Sequence, residues 1–261
     1  MQWILQEFDD TLKLAEALDR LNIDYSWHKV VPFAGELIPE PVIRDPNDVV
    51  MFGSYALWRY AQARGLRPGV FKLDPFIKQQ AWLPHMLNGP DARLIDLQDL
   101  PRDLAGDDRD WFVRPVDDSK QIAGRVMASR EIVDMAKGVI ALERQEIPDG
   151  SLRHDTQMML STPMRIMKEW RVWVVDDAIV TFSLYKEGAR VIHRPEIDDD
   201  AREFVRHLVD LNPGYSKAYV IDVCRTDDGL KLIETNCINA AGFYAANMLE
   251  LAHAIDTLNP D

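Results

Sequence analysis

The sequence predicts two architectures in series: an open α/β layer at the N-terminal end, then an α+β region built on long hairpins. Three observations carry this. Strand patterns alternate with helix patterns over residues 2–71, a proline-rich stretch interrupts that alternation, and two later hairpins turn on acidic pairs. In order, "WILQEF" reads as a strand. "DDTLKLAEALDRLN" sets Leu12, Leu14, Ala15 and Leu18 at helical spacing behind aspartates suited to capping. "DYSWHKVV" reads as a second strand and "PFAGELIPEPVIRDPND" as a loop. "VVMFGSYALWRYAQARGLRPGVF" then reads as strand, glycine turn and helix.

Composition shifts after about residue 90. "ARLIDLQDLP" and "DWFVRPV" have strand character, and "SREIVDMAKGVIALER" is a helix pattern. From Met158 strands dominate. "RIMKEWRVWVVDDAIVTFSLYK" is a hairpin turning at Asp176–Asp177, with Trp173 and Val175 alternating against Val172 and Val174. "DDDAREFVRHLVDLN" is a helix. "KAYVIDVCRTDDGLKLIETN" is a second hairpin turning at Asp227–Asp228–Gly229, and "YAANMLELAHAIDTL" closes as a helix. The expected division is one domain over 1–90 and a second over 91–261, with subdomains about 91–160 and 161–261.

A net charge of −13 favours solubility and argues against broad contacts to a phosphate backbone. The positive residues are scattered, so no nucleic-acid partner is expected. "MQWILQEFDD" lacks the basic opening of a signal peptide, and no apolar run approaches the roughly 20 residues needed to cross a bilayer. No membrane partner is expected either. Cys224 and Cys237 have neither disulfide-framework nor zinc spacing. They read as buried thiols in a reducing compartment, and the expected location is the cytoplasm.

The second hairpin carries the most chemistry. Glu234 and Asn236 are two apart on the return strand and share a face, and the turn brings Asp222 opposite them. Such oxygen donors, few in number, suit Mg²⁺ completed by phosphate and water. The same spacing also describes a solvated outer face. A second set is basic: Arg114 ends "WFVRP", Arg171 interrupts "KEWRVWVV" and Lys186 ends "TFSLYK". Arginine suits bidentate phosphate contacts and lysine supplies a mobile point charge; each of the three also reads as a snorkelling surface residue. Lys120 in "DDSKQIAG" is either a phosphate contact from a loop or an ordinary exposed lysine. No P-loop, G-x-G-x-x-G, G-x-S-x-G or H-E-x-x-H occurs. His193 reads as structural or substrate-facing. The Gly53–Ser54 helix start reads as an anion site or a plain cap, and Tyr55, Trp58 and Tyr60 as core or pocket.

Taken in order, "FVRP" with a loop lysine, "EWRVWVV", "YVIDV" and "LIETN" resemble an ATP-grasp domain over roughly residues 90–261. The resemblance is to short bacterial and phage members thought to act as peptide or amine ligases. It implies an ATP-grasp fold with the nucleotide between two subdomains, and a preceding substrate-side domain. Asp222, Glu234 and Asn236 would hold Mg²⁺, or Mn²⁺ in its place. Arg114 would stand where many members have a phosphate lysine, with Lys120 beside it. Glu169 would lie near the nucleotide, and the Met159–Pro163 segment, including Leu160 and Ser161, beside adenine through main-chain groups. Arg171 and Lys186 would face the γ-phosphate or an acyl phosphate. The implied activity joins a small-molecule or peptide carboxylate to an amine through an acyl phosphate, releasing ADP. A phosphotransferase or a non-catalytic ATP-binding module are the alternatives. The chain departs from the family's pattern in having Arg114 for lysine and only Gly124 in the loop that follows.

Overall fold

Apolar residues on both faces of two short strands organise the N-terminal end. The computed structural model describes residues 1–258 apart from 32–34, 55, 90, 117–122 and 149–150. Its first elements are β1 (Gln2–Gln6), α1 (Asp9–Leu21), β2 (Tyr25–Val31), β3 (Glu36–Ile38), β4 (Val49–Phe52), α2 (Ala56–Ala63) and the two-residue β5 (Pro68–Gly69). They form a sheet in the order β3-β2-β1-β4-β5, parallel except where β3 pairs with β2. A parallel sheet is covered on both sides. Trp3, Leu5, Val50 and Phe52 accordingly face one core with α1, while Ile4, Val49 and Met51 face another with Leu57, Tyr60 and Ala61 of α2.

The helix α1 stops where Asn22 turns left-handed, φ 54°, and its N–H meets the Asp19 and Leu18 carbonyls. Gly53 ends β4 because the chain passes close to β1 there: a Cβ would lie 2.5 Å from Gln6 Cβ. The proline-rich stretch expected to be pure loop contains β3. Its Leu37 is buried, and an edge strand pairs on one side only, so prolines beside it are tolerated.

The middle of the chain supplies β6 (Arg93–Asp96), the one-turn α3 (Leu100–Asp103), β7 (Asp110–Pro115), β8 (Arg125–Ala128), α4 (Ser129–Ile140) and β9 (Gln157–Ser161). The strands form an antiparallel sheet in the order β6-β9-β7-β8, with Leu97, Trp111, Val113, Ile132, Met158 and Leu160 in its core. The four-residue β8 has too little alternation to be read as a strand from sequence.

The remainder is β10 (Ile166–Val175), β11 (Ala178–Glu187), β12 (Arg190–Arg194), α5 (Asp199–Leu211), β13 (Ala218–Thr226), β14 (Gly229–Cys237) and α6 (Met248–Asp256). The sheet is wholly antiparallel, in the order β12-β11-β10-β13-β14. The β10–β11 hairpin turns at Asp176 (φ 48°) and Asp177 (φ 58°), the paired positive φ of a type I′ turn. Asn247 caps α6 by accepting from the Leu249 and Glu250 N–H groups.

The compact units divide the chain differently from the boundaries expected at 90 and 160. One unit is Met1–Asp74 together with Ile166–Asp261, and the other is Pro75–Arg165. The physical reason is a shared core. Trp3 and Phe52 pack in one cluster with Leu14, Leu18, Trp173, Val220, Leu251 and Ile255. Trp3 Nε1 also donates to Asp256 Oδ1 at 2.8 Å. The first and last segments therefore bury each other, a contact that local patterning cannot reveal. Among the described residues no helix is long and apolar enough to cross a membrane.

Candidate active site

On one face of the antiparallel sheet, the side chains change from apolar to charged partway along each strand. Along β10 this face runs Val175, Trp173, Arg171, Glu169, and along β13 it runs Ala218, Val220, Asp222. Trp173 pairs with Val220, and Arg171 pairs with Asp222. Next to them on β14, Asn236 pairs with Val220 and Glu234 with Asp222. The apolar ends belong to the core shared with α1 and α6. Beyond them the same face carries a row of charges.

The three sequence-predicted metal ligands meet there. Asn236 Nδ2 lies 3.3 Å from Asp222 Oδ2 and 3.0 Å from Glu234 Oε1, so one amide reaches both carboxylates. Asp222 is only 1% exposed and Asn236 4%. Among the described residues no group of three or more His, Cys, Asp or Glu is placed to hold a metal. This trio passes a different test: two carboxylates and an amide are hard oxygen donors of the type Mg²⁺ takes, and an amide turns oxygen or nitrogen outward by a half-rotation.

Arg171 and Lys186 both lie on this face, and each is ion-paired. Arg171 donates to Asp222 from Nε (2.9 Å) and Nη2 (2.8 Å), a bidentate fork, and from Nη1 to the Gly242 carbonyl at 3.3 Å. Burial alone would lower the Arg171 pKa, but the Asp222 charge outweighs it and holds the guanidinium protonated. Burial pushes the Asp222 carboxyl above its ordinary range, against the pull of Arg171. Lys186 Nζ stands 2.7 Å from Glu169 Oε1, and Tyr185 donates its hydroxyl to Glu169 Oε2 at 2.7 Å.

Tyr185 and Lys186 are consecutive, yet both reach one carboxylate. A bulge explains it: Glu169 pairs with Lys186 but Trp170 pairs with Leu184, so β11 carries an extra residue. A second bulge lies beside Glu234. Asp222 pairs with Glu234 while Val223 pairs with Leu232, which sets Lys231 opposite Cys224 on the charged face. Burial raises the Cys224 thiol pKa to about 12. Tyr185 is also raised, by burial first and then by the Asp222 and Glu169 charges.

The other predicted residues fall as follows. Arg114 is half-buried on β7, with Nε donating to the Pro115 carbonyl at 3.2 Å and its guanidinium 5.4 Å from the Phe76 ring centre. Gly124 packs so close to Phe112 that a Cβ would come within 2.7 Å of the ring. Lys120 and Tyr55 lie outside the described residues. The Leu160 side chain is buried in the core of its sheet, and its strand is flanked by Arg93 of β6 and Val113 of β7. Ser161 is buried and donates its hydroxyl to Asn88 Oδ1 at 2.7 Å. At the Gly53–Ser54 helix start, the Ser54 N–H is taken by Gln6 Oε1 at 2.7 Å, which favours a plain structural turn. Tyr60 is core, its hydroxyl on Glu40 at 2.9 Å, and Trp58 donates to Cys237 Sγ at 3.3 Å.

Sequence reading missed Tyr185, Lys231, Gly242 and Tyr244. Tyr244 stacks on Tyr185 with centroids 5.2 Å apart, and the Arg171 guanidinium carbon lies 4.8 Å from its ring centre. A signal was present, since "GFY" follows the E-T-N strand within one short loop. His193 was noticed, and its ring lies 4.8 Å from that of Tyr244.

Comparisons with known proteins agree with this geometry. The model of an ATP-grasp domain family, the third of its clade, matches residues 64–255. None of the curated proteins matches the chain in sequence. Among solved structures, the D-cycloserine synthetase DcsG is similar with a TM-score of 0.62 at 14% identity, covering 98% of this chain and 99% of that one. A RimK domain protein ATP-grasp from Sphaerobacter thermophilus DSM 20745 gives 0.61 at 12% identity, with 98% of each chain covered. D-alanine–D-alanine ligase from Bacillus anthracis complexed with ATP gives 0.59 at 12% identity, covering 98% and 95%. At these identities the likeness is one of fold.

Proposed function

Because this chain belongs to the ATP-grasp domain family whose model it matches, we propose that it is an ATP- and Mg²⁺-dependent carboxylate–amine ligase. The observation that carries the reading is the trio of Asp222, Glu234 and Asn236 on one sheet face beside Arg171. The similar folds of two ligases, one of them described with ATP, support the class of reaction.

In this reading Asp222, Glu234 and Asn236 hold Mg²⁺, which when bound offsets the charge of the ATP phosphates. Arg114 and Lys120 contact phosphate oxygens, Glu169 lies near the nucleotide, and main-chain groups around Leu160 and Ser161 meet adenine. A carboxylate oxygen of the first substrate attacks the γ-phosphorus and ADP leaves, giving an acyl phosphate. The amine of the second substrate then attacks the carbonyl carbon, gives up a proton and expels phosphate, leaving an amide. Two N–H groups of Arg171, one on each Nη, and the Lys186 ammonium stabilise charge developing on the transferred phosphoryl group. No protein nucleophile takes part. The protein's work is to orient the reactants and neutralise charge.

The test is ADP release screened over amino acids and short peptides, followed by mass analysis of the product. A condensed product, lost in Asp222→Ala and Glu234→Ala, is expected. Full turnover in the Glu234 variant overturns the metal assignment, and a stable phosphorylated product points instead to a phosphotransferase.

A further inference from the structure

Among the described residues, four non-glycine positions have positive φ: Asn22, Asp176, Asp177 and Tyr244. Three have local reasons. Asn22 ends α1, and the two aspartates make the β10–β11 turn, conformations that Asn and Asp adopt readily. Tyr244, at φ 49°, is a bulky aromatic residue in the left-handed region, where such residues are outliers. Backbone strain of this kind persists only where the surroundings over-determine it, and it clusters at functional sites.

The surroundings do over-determine it. Lys13 Nζ donates to the Tyr244 carbonyl at 3.1 Å, and Arg171 Nη1 to that of Gly242 at 3.3 Å. The Ala245 and Asn247 N–H groups donate to the hydroxyls of Ser183 (3.3 Å) and Thr181 (2.8 Å) on β11. What these fastenings deliver is the ring. It stacks on Tyr185 at 19° between planes, meets His193, and lies against the Arg171 guanidinium. Tyr185 in turn holds Glu169, the partner of Lys186. One aromatic stack thus joins the two charge pairs of the site.

We infer that Tyr244 is a positioning residue: its ring sets the plane of the Arg171 guanidinium, and with it the direction of the N–H groups that Asp222 and Gly242 leave uncommitted. The attraction is that of a cation for an aromatic face, strengthened by burial. The role in phosphoryl transfer rests on the ligase reading above; the orientation of Arg171 does not.

The test uses the full chain with Tyr244→Phe, Tyr244→Leu and Tyr244→Gly. The Leu variant keeps an apolar side chain of similar reach without the aromatic face, and the Gly variant relieves the backbone. Circular dichroism checks that each folds. The Arg171 Nε–H resonance, assigned by its loss in Arg171→Lys, reports the guanidinium directly and without nucleotide. Its exchange with solvent should be unchanged in Tyr244→Phe and about tenfold faster in the Leu and Gly variants. In ADP release, the same two variants should lose about tenfold in kcat with little change in KM for ATP. Wild-type exchange rates in both the Leu and Gly variants overturn the proposal. Absence of ADP release from the wild type overturns the ligase reading, while the exchange rates still decide the orientation of Arg171.

Discussion

Removing Asp222 should destabilise this protein even when no nucleotide is present. Arg171 is 8% exposed and makes two of its three hydrogen bonds to the Asp222 carboxylate. Asp222→Ala leaves that cation buried without its counter-charge, a change that costs about 3–5 kcal/mol. At about 2–4 °C per kcal/mol for a chain of this size, the melting temperature should fall by roughly 6–20 °C. Deleting both charges should be far milder, since apolar residues of similar volume replace a buried pair at little cost. The assay is urea and thermal unfolding of Asp222→Ala and of the double variant Arg171→Met with Asp222→Leu. The double variant should regain most of the loss yet stay inactive. A loss below about 1 kcal/mol in Asp222→Ala would falsify the description of the pair as buried and mutually dependent.

Asn239 accepts the Phe71 N–H (2.9 Å) and donates to the Met51 carbonyl (2.7 Å), both in the buried interior. Asn239→Leu strands both groups, and unfolding in urea should register a loss of about 2–6 kcal/mol. Gly53→Ala sets a Cβ 2.5 Å from Gln6 Cβ and 2.7 Å from Leu57 Cδ1, so the same measurement should show about 1–3 kcal/mol of overpacking cost. Burial raises Cys224 from 9.0 to about 12. Its neutral thiol contributes stability that is complete below pH 9.0 and lost as pH rises towards 12, and iodoacetamide should not label it in the native protein near pH 8. Arg171→Lys cannot make the two-pronged contact with Asp222, so ADP release should drop by about tenfold or more while ATP binding, followed by calorimetry, persists.

Much of this was legible because the signals are local. The hairpin turns announced themselves through Asp176–Asp177 and Asp227–Asp228, and Glu234 and Asn236 share a face by the period of a strand. The bulges were not legible, since an alternating pattern does not mark an extra residue. Without them Lys186 and Lys231 could not be assigned to the charged face. The aromatic stack needs Tyr185 and Tyr244 to meet across many residues of sequence, and strand periodicity has nothing to say about that. The domain boundaries failed for the same reason: the cluster that unites Trp3 with Ile255 is a long-range fact.

That cluster has a consequence for how the chain is made. Trp3, Leu14 and Leu18 leave the ribosome first, while the residues that cover them, Leu251 and Ile255, come last. At about 5–20 residues per second, the opening segment waits roughly 10–50 s for its partners. The segment Pro75–Arg165 has its own core and is complete long before then. Translation therefore finishes an inserted piece before the body that flanks it in sequence can close.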